Sequence, residues 1–62
     1  MEFTARISMD NAAFDDCPGS ELARILREIA RQVERGESEI SREVTDINGN
    51  HVGRFTIAKR EG

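Results

Sequence analysis

Cysteine, proline, histidine and lysine each occur once in this 62-residue chain, and tryptophan and tyrosine do not occur at all. One cysteine excludes an internal disulfide, and one cysteine with one histidine cannot supply a zinc site. Three phenylalanines leave few platforms for stacking bases. No apolar run is long enough to span a bilayer, and no basic segment followed by an apolar run marks a secretory leader. The expectation is therefore a cytoplasmic protein. The net charge of −3 argues against general nucleic-acid binding. A chain of this length makes one small domain over residues 1–62, held by a compact core or by self-association.

What the chain does have is one strong amphipathic helix, expected between Ser20 and Gly36. Leu22, Ile25, Leu26, Ile29 and Val33 follow the spacing of a single helix face, with Ala30 widening the stripe. Ser20 suits the N-cap, while Pro18 and Gly19 are expected to block a longer helix. Glu21 and Arg35 match the helix dipole, and Gly36 suits a left-handed ending. Arg24, Arg27, Arg31 and Arg35 form a second stripe opposite the first. That row suits phosphates or an acidic partner, but a solvated face tempered by Glu28 and Glu34 explains it more simply.

Residues 2–9 alternate. Phe3, Ala5, Ile7 and Met9 point one way and Glu2, Thr4, Arg6 and Ser8 the other, as in a strand with one buried face. Residues 10–19 form a long irregular connection that Phe14 is expected to pin to the core. Long loops often bind, and Asp10, Asn11, Asp15 and Asp16 are candidate partner-binding residues there. Two adjacent carboxylates without further oxygen ligands make a poor cation site, so no metal is expected. Cys17, beside the helix start, is a candidate reactive thiol.

After a polar connection at 37–39, two strands meet at Asn48-Gly49, a strong hairpin signal. A two-residue turn there sets Asp46 opposite His51, Val44 opposite Gly53, Arg42 opposite Phe55 and Ile40 opposite Ile57. One face then carries Ile40, Val44, Phe55 and Ile57. The other carries Ser41, Thr45, Thr56 and the facing pair Glu43 and Arg54, with Val52 as an apolar intrusion. Asn48, Asn50 and His51 at the tip are further candidate binding residues. His51 beside Asp46 suggests an acid/base dyad, but no nucleophile accompanies it and no phosphate-binding glycine loop is present. No cofactor and no enzymatic activity are expected.

The order strand, helix, strand, strand predicts an α+β fold: a two-layer β-α-β-β sandwich. Its three-stranded antiparallel sheet has order 1-3-2 and one helix packed on one face.

The segments Asp10–Phe14 (DNAAF), Pro18–Leu26 (PGSELARIL) and Asp46–Gly53 (DINGNHVG) resemble, as an ordered set, a group of short proteins carried by phages and prophages of proteobacteria. The resemblance implies an accessory protein that binds a host protein, in the manner of anti-CRISPR and other counter-defence inhibitors. It assigns no functional residues. Arg24, Arg27 and Arg31 are further candidate partner-binding residues, and the alternatives are a nucleic-acid-binding modulator using the helix arginine stripe, and a self-associating assembly protein such as a homodimer.

Overall fold

The computed structural model describes residues 1–36 and 38–59; Glu37, within the expected polar connection, lies outside them. The elements run β1 (Glu2–Ile7), a short 3-10 turn (Ala12–Phe14), α1 (Pro18–Glu34), β2 (Ile40–Thr45) and β3 (His51–Ala58). The sheet is antiparallel throughout in the order β1-β3-β2, as expected. Putting β3 in the middle makes both of its neighbours antiparallel, and α1 lies across one face.

The core is Phe14, Ile25, Ile29, Ile40, Val44, Val52 and Phe55. Phe14 reaches it from the 3-10 turn, so a single aromatic ring anchors the long connection.

The helix departs from expectation at its start. It begins at Pro18, with Cys17 rather than Ser20 as N-cap and no side-chain cap. Proline does not block a helix at its first position, because the amide it lacks would have no partner there. The helix ends near its expected stop, with Gly36 at φ 83° donating its N–H to the Val33 carbonyl at 3.1 Å.

The apolar stripe is also rotated. Ile25 and Ile29 are buried and Leu22 and Val33 partly so, but Leu26 is 48% exposed and Ala30 is exposed. The line facing the sheet runs Glu21, Ile25, Ile29. Leu26 lies about 100° around the helix from Ile25, beyond the reach of a three-stranded sheet.

Strand β1 was expected to bury one face. It lies at the sheet edge instead, with Phe3 50% exposed and Met9 also exposed, and only Ile7 partly buried. Phe3 does touch the core through Phe55, their ring centroids 6.2 Å apart.

Strands β2 and β3 keep the expected pairing from Ile40↔Ile57 through Val44↔Gly53, with Glu43 beside Arg54 at 3.5 Å. Beyond Val44 the register shifts, so that Thr45 rather than Asp46 faces His51. The extra residue on β3 is Val52. A bulge breaks the alternation of side chains, and Val52 is buried in the core rather than intruding on the wet face.

Candidate partner-binding surface

Two buried carboxylates bring the long connection, the helix start and the hairpin tip together. Asp46 begins the tip. Its carbonyl accepts the Gly49 N–H at 3.0 Å, and its N–H donates to the Asn50 carbonyl at 2.9 Å. The loop therefore has three residues, Ile47, Asn48 and Gly49, not two, and Gly49 takes φ 86° to close it. The Asp46 side chain decides this. One carboxylate oxygen accepts the N–H groups of Asn48 and Asn50, both at 2.9 Å; the other accepts the side-chain amides of Asn11 at 3.2 Å and Asn50 at 3.3 Å.

An aspartate that opens a turn and accepts amides two and four residues on is a familiar local motif. It was the available signal for a structural Asp46. The added residue in the loop and the bulge at Val52 cancel, which is why the rest of the hairpin keeps its register.

Glu21 does the same work from the helix. Its carboxylate accepts from Nε and a terminal nitrogen of Arg24 at 2.9 and 3.0 Å, and also from the Ile47 N–H at 2.9 Å. Its pairing with Arg24 holds the carboxyl below its ordinary pKa; burial opposes this and the Ile47 amide assists it. At Asp46 burial pushes the pKa up, but the Asn50 amide, the Asn11 and Asn50 side chains and the Asn48 amide together bring it below its ordinary value. Both groups stay ionised because every lone pair that matters has a donor.

The candidate residues divide into two sets. Asp10, Asn11, Asp15, Asp16, Asn48, Asn50 and His51 lie on the long connection and around the hairpin tip, two segments joined by the hydrogen bond from Asn11 to Asp46. All are exposed except Asn11, which is half-buried because its side chain links the connection to Asp46. Asp10 accepts a hydrogen bond from the Ser8 hydroxyl at 3.0 Å. Arg24, Arg27 and Arg31 do not form one open cationic row. Arg24 is half-buried on Glu21 and Arg31 pairs with Glu28, one turn earlier rather than with Glu34. Arg31 also stands roughly 15 Å along the helix from Glu21.

The His51–Asp46 dyad does not form, since His51 opposes Thr45 and Asp46 is occupied by amides. Among the described residues no three histidine, cysteine, aspartate or glutamate side chains cluster as a metal site would need. Cys17 is exposed.

Ile47 is not among the expected binding residues. It is 66% exposed at the apex of the tip, while its backbone is tied down by Glu21. An apolar residue inside a turn was the available signal. No protein-family model, curated protein or solved structure matches the chain. No helix among the described residues is long and apolar enough to cross a membrane.

Proposed function

We propose that the chain is a non-enzymatic accessory protein of phage or prophage type that binds a host protein in the bacterial cytoplasm and blocks a defence system. The observation that carries this reading is the tip. A solvent-facing Ile47 is held by its own amide to a buried carboxylate, in a turn whose other amides are also satisfied. An apolar anchor fixed before binding loses little entropy when it enters a pocket. Exposed Asp10, Asp15 and Asp16, on the connection that Asn11 ties to the tip, supply charge for a basic rim on the partner.

Affinity capture from a proteobacterial lysate tests the reading. Wild type retains one host protein at fixed stoichiometry. Ile47→Asp, and Asp15→Lys with Asp16→Lys, both lose it, whereas Arg27→Glu on the helix keeps it. Retention that is equal across all variants, or lost only with Arg27→Glu, overturns the proposal.

A further inference from the structure

We infer that the outer edge of β1 pairs antiparallel with the same edge of a second copy, around a two-fold axis at Thr4, to give one six-stranded sheet. Four observations converge on this edge.

The first is the direction of its hydrogen-bonding groups. The Ser8 N–H donates to the Val52 carbonyl at 2.8 Å, continuing the register that pairs Glu2 with Ala58 and Arg6 with Arg54. In an antiparallel ladder bonded and non-bonded pairs alternate. The even-numbered residues therefore bond to β3, and Phe3, Ala5 and Ile7 turn their N–H and C=O groups outward. No proline or register shift interrupts this edge, and among the described residues its lateral side has no strand beside it. Such an edge is a template for another strand.

The second is self-complementary charge. Centring the pairing on Thr4 sets Glu2 opposite the partner's Arg6, Phe3 opposite the partner's Ala5, and Thr4 opposite the partner's Thr4. Two-fold symmetry makes the ion pair twice. A slip of one residue puts Phe3 against the partner's Arg6 and mixes the two faces of the sheet.

The third is a local conflict within one copy. Arg6 lies directly opposite Arg54, an unfavourable like-charge pairing, while Arg54 is engaged by Glu43 and Ser41. Among the described residues neither Glu2 nor Arg6 makes an ion pair. A partner's Glu2 relieves this repulsion.

The fourth is uncovered apolar surface on the same side. Arg24, Glu28 and Gln32 line a groove with Glu43, Val44 and Thr45, so that flank of α1 stands over β2. Leu26, on the opposite flank, stands towards β1, where Phe3 and Met1 are also exposed. The two-fold axis puts both helices on one face of the joined sheet and brings these apolar strips together.

Sedimentation equilibrium across a dilution series tests the inference. Wild type approaches twice the 7.0 kDa chain mass as concentration rises. Glu2→Arg and Arg6→Glu each weaken association by about tenfold or more, because each turns two attractions into two repulsions. An equimolar mixture of the two variants forms a heterodimer, since both contacts across the axis then join opposite charges again. Ala5→Pro removes an outward-facing amide, leaves the bonds to β3 in place, and abolishes the dimer. A wild-type chain that stays monomeric at millimolar concentration overturns the inference. So does a mixture that associates no better than its components, or an Ala5→Pro chain that dimerises like wild type.

Discussion

The Glu21 carboxylate accepts the backbone N–H of Ile47 at 2.9 Å, across 26 residues of sequence. One hydrogen bond thus joins the first turn of the helix to the apex of the hairpin. The stem of that carboxylate is buried beside Ile25 and Ile29 on the sheet-facing line of the helix. Arg24 donates to both of its oxygens, and the hairpin backbone shares the second of them through the Ile47 N–H.

Acid is expected to loosen this end of the molecule. Glu21 and Asp46 both titrate below their ordinary values of 4.5 and 3.8 in the folded chain. A group with a lowered folded pKa contributes stability above its unfolded pKa and loses it as pH falls through the folded one. The melting temperature should hold from neutrality to about pH 5 and fall below that. Asp46→Asn should lower the melting temperature at pH 7 and flatten the acid limb. An unchanged pH profile in that variant removes Asp46 from the account.

Gly53→Ala is expected to be among the most damaging small substitutions. A Cβ there collides with the Arg6 carbonyl oxygen and lies 3.0 Å from the Ile7 Cα, so two backbones must separate. The expected cost is about 3 kcal/mol, read as a lower urea midpoint. Gly19→Ala meets nothing within 4 Å and serves as the control.

Neighbouring helix residues should differ sharply. Ile25→Ala is expected to cost about 3 kcal/mol, because Ile25 is 1% exposed. Leu26→Ala should stay within about 0.5 kcal/mol in dilute solution. Equal losses for the two would contradict the rotated stripe.

Ile47→Asp should separate folding from binding. The backbone bond to Glu21 does not depend on the side chain, so the melting temperature should move by no more than a few degrees, corresponding to about 0.5 kcal/mol. Partner capture should be lost. A variant that unfolds instead would show Ile47 to be structural.

Much of this fold is legible from pattern alone. The period-2 alternation of residues 2–9, the helical spacing of Leu22, Ile25, Leu26, Ile29 and Val33, and the Asn48-Gly49 turn signal mark the first strand, the helix and the hairpin. Backbone geometry ties each of these signals to nearby residues, so no distant contact is needed to read them. Phe14 is legible for a related reason, as the one large apolar side chain in the connection.

The functional end is a different matter. Asn11, Glu21 and Asp46 are ordinary polar residues in sequence, and only the packing of three separate segments makes them partners. The same holds for Val52, which alternation assigns to the wet face and a bulge delivers to the core. Leu26 and Phe3 look like core residues because they are apolar and correctly spaced. Periodicity defines an arc of apolar side chains, but the width of the surface opposite decides how much of that arc is covered. Three strands cover Ile25 and Ile29 and leave Leu26, Phe3 and the β1 edge facing outward.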